Sequence, residues 1–406
     1  MSSLLEGVRV IELSHVMAAP TCGLMLSDMG ADVIKVERLP NGDDIRKLAP
    51  FVEGVSSPFV MMNRNKRGIA IDLKSSEGQA VLKDLIKDAD ILIENYRQGA
   101  VEAFGVGYEE VKQFNERLIY CSISGFGRTG PYSSKGGFDL VAQGMSGLMS
   151  VTGEGADRPP VKVGAPVTDI TAGVLGAMGV LGALFKRGKT GKGQLVDTSL
   201  FEAGIMHTFW QSSIYFGSGE IPKAMGSAHP LMAPYQAFKT KDGWINVGSA
   251  NQGLWEKLLI VLGAEKLLKE EKFSDPNRRL ENLSELEELL TDFFGVEKTE
   301  VWIEKLEAAG IPAGPVLNIE EMSLDPQTIA RRMVREVSNH GETFKVIGHP
   351  VKYSDYDTQI ELSAPKLGEH TRDIMAELGY TEERINLLLE KGFVYGGKKN
   401  ERENRT

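Results

Sequence analysis

At 406 residues, with 42% hydrophobic and 25% charged side chains, the chain belongs to the folded proteins of two or three domains, not to disordered or fibrous ones. Its 46 Lys and Arg against 56 Asp and Glu leave a net charge of -10, which excludes the broad basic footprint of a nucleic-acid binder but permits a local basic pocket. Cys22 and Cys121 lie far apart in sequence and build neither a disulfide framework nor a Cys-based metal site, so a cytoplasmic, reducing setting is expected.

Residues 1 to 7 show no basic segment followed by a long apolar run, and no secretory signal is expected. Val8 to Leu13 alternates and then runs apolar, as a buried strand does. Pro20 is suited to opening a helix through Leu24, Met25, Leu26 and Met29, with Gly30 closing it, and Asp32 to Glu37 reads as the next strand. Together they form one right-handed βαβ unit. Ser76 and Gln79 have capping-box spacing ahead of a helix carrying Val81, Leu82, Leu85 and Ile86, followed by strands at Asp90 to Glu94 and Leu118 to Ile123. Thr171 to Phe185 reads as a buried helix too short to span a bilayer comfortably, and no membrane association is expected. Beyond about residue 220, Tyr235 to Lys239 and Trp244 to Val247 flank Asp242-Gly243 as a hairpin. Helices follow at 254–262, 283–294, 299–308 and 381–391, and residues 398–406 form a polar tail.

The fold class that emerges is α/β. A large Rossmann-like domain with a mostly parallel sheet spans 1–220 and 331–406, and a smaller α+β domain spans 225–330. Parallel sheets bind ligands at the carboxyl ends of their strands, which singles out residues 14–19, 38–46, 95–99 and 124–137. None of the six histidines has metal-ligand spacing, and neither a GxSxG elbow nor a P-loop occurs. Gly125 to Gly130 spells GxGxxG after a strand, but Pro131 follows where a dinucleotide site needs a helix; a loop closely approaching a ligand fits better. Asp169 stands directly before the apolar helix. Its bland role is an N-cap; its sharper one is a carboxylate kept ionised by the helix dipole and ready as a nucleophile.

Several segments together carry a resemblance. They are Gly7 to Leu13, Gly30 to Arg38, Asn63 to Arg67 with Asp72 to Lys74, Glu94 to Arg97, Gly125 to Gly127 with Gly130-Pro131, Val141 to Gln143, Asp169 before its helix, Gly193-Gln194, and His229-Pro230 with Pro234-Tyr235. In this order and spacing the chain resembles the family III coenzyme A transferases, the formyl-CoA and carnitine-CoA (CaiB/BaiF) group, along nearly its whole length.

The resemblance implies reversible transfer of CoA from an acyl-CoA to a carboxylic acid, with Asp169 as nucleophile passing through an aspartyl anhydride and an aspartyl-CoA thioester. It implies no permanently bound cofactor and no metal, coenzyme A entering only as substrate. By family position Arg38, Lys74 and Arg97 contact phosphate and adenine; Ala18, Leu73, Asn95 and Tyr96 line the groove, and Lys135 is a looser candidate. His15 and His229 are candidate contacts for the acceptor carboxylate, Gly248 is a candidate source of a backbone oxyanion donor, and Asp139 is a polar candidate without an assigned role. Met17 replaces the Gln of oxalate-specific members, and Gly248-Ser249-Ala250-Asn251-Gln252 replaces their glycine run, so a less polar acid is expected. Glu102-Ala103 stands where many members carry a basic residue. The related α-methylacyl-CoA racemases carry a catalytic His where this chain has Phe138, which removes half of their acid/base pair. A non-catalytic CoA-binding subunit is the remaining alternative. The family's dimers are interlocked, so a homodimer is expected.

Overall fold

The computed structural model describes residues 3–155 and 157–397; the expected polar tail at 398–406 lies outside the described residues. Contacts divide the chain into two compact units. The larger takes the chain up to Ser146, then Gly164–His207 and the part from Gln327 onward; the smaller takes Gly147–Val163 and Thr208–Pro326. The boundaries expected near 220 and 331 therefore move to 208 and 326, and 147–163 joins the smaller unit. One reason for the last change is that the Gly226 amide donates to the Gly153 carbonyl at 2.8 Å.

A seven-stranded sheet organises the larger unit in the order Val394–Tyr395, Lys66–Ile71, Asp32–Arg38, Arg9–Leu13, Ile91–Glu94, Ile119–Ser124, Leu195–Ser199. All neighbours are parallel except the Val394–Tyr395 edge, which pairs antiparallel with Lys66–Ile71. Successive side chains point to opposite faces, so Ile11, Leu13, Ile34 and Val36 enter one core, while Val10, Val33, Ile91 and Ile93 enter the other. Both faces are covered, as a parallel sheet requires. The strands at 66–71, 195–199 and 394–395 are not among those predicted. Leu195–Ser199 has alternating exposed positions, and Lys66–Ile71 opens with two cations that look like loop until their buried partners are seen.

Helix starts differ in detail from expectation. The first helix runs Ala18–Asp28, with Pro20 inside its first turn, where a missing N–H leaves nothing unpaired. The Ser76–Lys87 helix is capped by Ser75, whose Oγ accepts from the Gly78 amide at 3.0 Å; Gln79 instead donates to the Leu73 carbonyl at 3.1 Å. The apolar helix extends over Val167–Thr190, and its 24 residues are long and apolar enough to cross a membrane by length and composition alone. Here it packs against the first helix and the sheet. A Cβ on Gly173 would fall 2.4 Å from the Ala18 carbonyl oxygen and 2.5 Å from Thr21 Cβ, and one on Gly176 would fall 2.8 Å from Ile123 Cδ1. Gly173→Ala is therefore expected to destabilise the fold by about 1–3 kcal/mol through overpacking, read as a lower denaturant midpoint.

Cys22 and Cys121, distant in sequence, meet beneath this helix as buried free thiols that share a hydrogen bond. That bond, and then burial, hold the Cys22 thiol well above its ordinary range.

In the smaller unit Tyr235–Lys239 and Trp244–Gly248 form the expected antiparallel hairpin, extended by Ala313–Pro315. Its link is four residues, and the Asp242 carboxylate turns outward to accept the Thr299 amide at 2.9 Å, starting the Thr299–Ala308 helix. Gln252–Leu262, Leu283–Phe294 and Thr299–Ala308 close over a core that includes Phe238, Trp255, Phe294 and Trp302.

Candidate active site

In the larger unit, the segments that follow four neighbouring strands interlock through their own polar groups. His15 and Asn95 exchange two hydrogen bonds: the His15 amide donates to Asn95 Oδ1 at 3.1 Å and Asn95 Nδ2 donates to the His15 carbonyl at 2.9 Å. The His15 ring meets Tyr96 edge-on at 5.2 Å, and burial lowers its pKa. Val16 has φ +66, a left-handed conformation that a β-branched residue avoids. Asp43 holds it there, accepting the Val16 amide at 3.0 Å with one oxygen and 3.3 Å with the other. Strain of this kind persists only where the surroundings over-determine it.

Those surroundings are a buried layer of charge. Lys35 lies 2.9 Å from Asp43 and 3.1 Å from Glu12, and Lys66 lies 2.7 Å from the other Glu12 oxygen, all with fully buried side chains. Lys66 also donates to the Pro20 carbonyl and to Asn63 Oδ1, and Lys35 to the Ser14 carbonyl. The sequence places the three on one face, since Glu12, Lys35 and Lys66 follow the alternation of Val10, Val33 and Gly68. Gly23 of the first helix makes room, because a Cβ there would fall 1.8 Å from Glu12 Oε2. Burial draws Lys66 down to about 8, Glu12 opposing it; for Lys35 the attraction of Asp43 and Glu12 outweighs burial and the pKa rises.

Arg128, inside the glycine-rich loop, supplies a second clamp. Its Nη2 donates to both oxygens of buried Glu94 at 2.6 and 2.7 Å and to the Tyr96 carbonyl at 2.9 Å, while Nε donates to Ser122 Oγ. Burial raises the Glu94 pKa against the pull of Arg128. Gly125 and Gly137 bring the two ends of the loop together: a Cβ on Gly125 would meet Gly137 Cα at 2.7 Å. Arg128→Ala is expected to lower stability by about 3–5 kcal/mol, because it leaves Glu94 buried and unpaired, measured by denaturant unfolding.

Asp169 is not the helix N-cap. That place belongs to Pro166, which makes no side-chain cap, and Asp169 is the third helical residue. The amide that needs a partner is Thr168's. Asp139, the first residue of the Asp139–Met145 helix, accepts it at 3.0 Å and the Thr168 hydroxyl at 2.8 Å, both on Oδ1. Asp169 lies one turn before Gly173 and so faces the first helix near Ala18. No described residue donates a hydrogen bond to its carboxylate. Burial, then the like charge of Asp139, raise its pKa to about 7, so the ionised state expected from the helix dipole holds only above neutrality.

The other predicted residues are distributed as follows. Ala18 is buried at the start of the first helix, next to Met17, which packs against a small cluster with Phe59 and Val60. Arg38 is exposed and paired with Asp44 at 2.6 Å. Arg97 lies against Gly136, where a Cβ would come within 3.5 Å of its guanidinium, next to Lys135, whose ammonium covers the Tyr132 ring at 3.9 Å. Lys74 is exposed. Leu73 sends its side chain into the core with Val81 and Leu85, and its carbonyl accepts Gln79 Nε2. Phe138 is 73% exposed. His229 and Gly248 belong to the smaller unit. His229 accepts the Leu231 amide on Nδ1 at 3.1 Å, which leaves Nε2 as a donor, and packs between Trp210 and Tyr235. Gly248 ends its strand with its amide on the Pro312 carbonyl. Among the described residues no group of three or more His, Cys, Asp or Glu is placed to hold a metal ion.

A half-buried carboxylate whose charged neighbour is Asp139, in a unit whose parallel strands carry polar segments at their carboxyl ends, is compatible with acyl transfer. Comparison with known proteins gives the class. The family model described as CoA-transferase family III matches residues 5–371. The chain is 38% identical to an acyl-CoA transferase of Fusarium pseudograminearum over 402 residues, covering 96% of this chain and 88% of that one. It is 37% identical to the succinate–glutarate CoA-transferase of Agrobacterium fabrum, covering 92% and 95%. A crystal structure of a CaiB/BaiF family protein from Brucella suis superimposes with a TM-score of 0.83 at 39% identity, covering 93% of this chain and all of that one. The chain belongs to family III of the CoA-transferases, and it is an enzyme that takes acyl-CoA as substrate.

Proposed function

We propose that the enzyme transfers CoA between short dicarboxylic acids through a covalent intermediate on Asp169. The observation that carries the reading is a half-buried Asp169 carboxylate near the start of the 167–190 helix that accepts no hydrogen bond from the described residues and whose pKa is raised to about 7 by burial, then by Asp139. Such a group is suited to act as a nucleophile, because a raised pKa makes the ionised carboxylate more basic while part of it is still ionised at neutral pH. An Asp169 oxygen attacks the thioester carbonyl of the donor; the C–S bond breaks, giving a mixed anhydride and CoA thiolate. The thiolate attacks Asp169 Cγ and expels the donor carboxylate, leaving an aspartyl-CoA thioester. The acceptor carboxylate then attacks Cγ and releases the thiolate, which takes the acceptor acyl group and restores Asp169. Each step exchanges bonds of similar energy, so no nucleotide is consumed.

Arg38, Lys74, Arg97 and Lys135 are the cations proposed for the CoA phosphates, with Ala18, Leu73, Asn95 and Tyr96 along the groove. His15 is proposed for the acceptor. Dicarboxylates are proposed because the Agrobacterium relative is named for succinate and glutarate, and because Met17 stands where the oxalate-specific members carry Gln. A screen of acyl-CoA donors against mono- and dicarboxylic acids tests this. Transfer between succinyl-CoA and glutarate is expected to be among the fastest; preference for oxalate, or racemisation of a branched acyl-CoA without transfer, would refute it.

A homodimer is proposed on independent grounds. Ile170, Val174, Met178 and Phe185 form an exposed stripe along the 167–190 helix, with Met178 63% and Phe185 71% exposed. A stripe of that size on a water-soluble chain calls for a partner, and a second copy is the simplest. Met178→Glu with Phe185→Glu is expected to halve the mass in analytical ultracentrifugation; wild-type protein sedimenting as a folded monomer would contradict the proposal.

A further inference from the structure

We propose that Asp139 is the positioning residue for Asp169, fixing the first helical turn through Thr168 and holding a negative charge against the neighbouring carboxylate. This rests on the reading of Asp169 as nucleophile.

The geometry separates two jobs. Asp139 Oδ1 accepts both Thr168 donors, at 3.0 and 2.8 Å, and Oδ2 accepts Gln143 Nε2 at 2.7 Å. Thr168 is fully buried, so its amide and hydroxyl have no route to water. Together these bonds set the register of the turn that carries Asp169 and do for this helix what an N-cap side chain does elsewhere, from a different helix. An Asn oxygen could serve the Thr168 bonds equally well. Capping therefore does not require a charge at 139, and the charge has a separate consequence: it repels negative charge on Asp169 and favours its protonated form until the pH approaches neutrality.

The other ionisable groups on the elements packed against the 167–190 helix are already engaged. Asp28 of the first helix pairs with Arg64 at 2.6 Å, and the Cys22 thiol shares a hydrogen bond with the free Cys121 thiol of the 119–124 strand. On the 195–199 strand Asp197 accepts the Arg128 amide at 3.0 Å. Glu202 of the Leu200–Met206 helix accepts Ser199 Oγ at 2.7 Å, and His207 at that helix's end shares a 2.8 Å hydrogen bond with Thr171. The helix's own Lys186, Arg187 and Lys189 are at its far end. Asp139 is the charged neighbour acting on Asp169.

The consequence is functional. A proximal negative charge keeps Asp169 basic, hence a strong nucleophile once ionised, and opposes tight pairing with the incoming acid. The test compares pH profiles of kcat/KM with succinyl-CoA and glutarate for wild type, Asp139→Asn, Asp139→Glu and Thr168→Val. In wild type the acidic limb is expected near pH 7. Asp139→Asn, which keeps the Thr168 bonds on its oxygen, removes the charge and requires the Gln143 amide to turn its oxygen toward the new NH2, is expected to move that limb down by about one unit. Asp139→Glu and Thr168→Val keep the charge and disturb the geometry; both are expected to lower kcat with the limb in place. Should Asp139→Asn fail to fold, Asp139→Glu decides, since a limb displaced downward there would contradict the charge argument. A limb unmoved in Asp139→Asn, with Asp169→Asn inactive, overturns the role of Asp139 and leaves the nucleophile standing. Turnover by Asp169→Asn overturns the nucleophile itself.

Discussion

Asp169→Ala and Asp169→Asn are expected to lower kcat by about 10⁴-fold or more while the protein folds normally and still binds CoA, measured by steady-state transfer and by CoA titration. The expectation follows from the division of labour in the fold. Asp169 makes no hydrogen bond that the structure depends on, because Asp139 and not Asp169 closes the helix start. Removing its carboxylate therefore removes chemistry and little else; relief of a buried charge repelled by Asp139 even favours stability. The cations proposed for the phosphates lie on other segments, so KM for the donor is expected to change little. A variant that lost CoA binding together with turnover would show that Asp169 is structural.

The largest effect on stability is expected at Glu12. Glu12→Ala leaves Lys35 and Lys66 buried with Asp43 as the one carboxylate among the described residues in direct contact with either, and losing one member of such a network costs about 3–5 kcal/mol. The loss reaches the site by a short path. Lys35 positions Asp43, Asp43 holds Val16 at positive φ, and Val16 lies between His15 and Met17. Denaturant unfolding of Glu12→Ala is expected to give a markedly lower midpoint, and the folded fraction to show weakened acceptor binding. A midpoint unchanged from wild type would mean that the ammonium groups find water and that the layer does not fix the turn.

Much of this architecture was legible in the residues. Helices at 283–294 and 299–308 match their amphipathic sequence pattern to the residue. The post-strand segments also stand out in the sequence, and in the structure His15, Asp43, Asn95 and Arg128 of those segments make the polar contacts that tie them together. What stayed hidden were interactions between residues distant in sequence. Lys66 looks like loop until Glu12 is placed beside it, and the Cys22–Cys121 contact crosses 98 intervening residues. Arg128 was visible only as a letter inside GxGxxG; its grip on Glu94 needs the fold. Asp169 stands out for its position, yet the cap at this helix start is made by Asp139, thirty residues upstream, and burial, then the charge of Asp139, raises the Asp169 pKa against the helix dipole.

The most direct measurement is peptide mapping by mass spectrometry after incubating the protein with succinyl-CoA alone. A CoA adduct on the peptide containing Asp169, removed by hydroxylamine and missing from Asp169→Asn, is the predicted result. Continued turnover with no adduct at that residue, or an adduct on another side chain, would contradict the covalent role of Asp169.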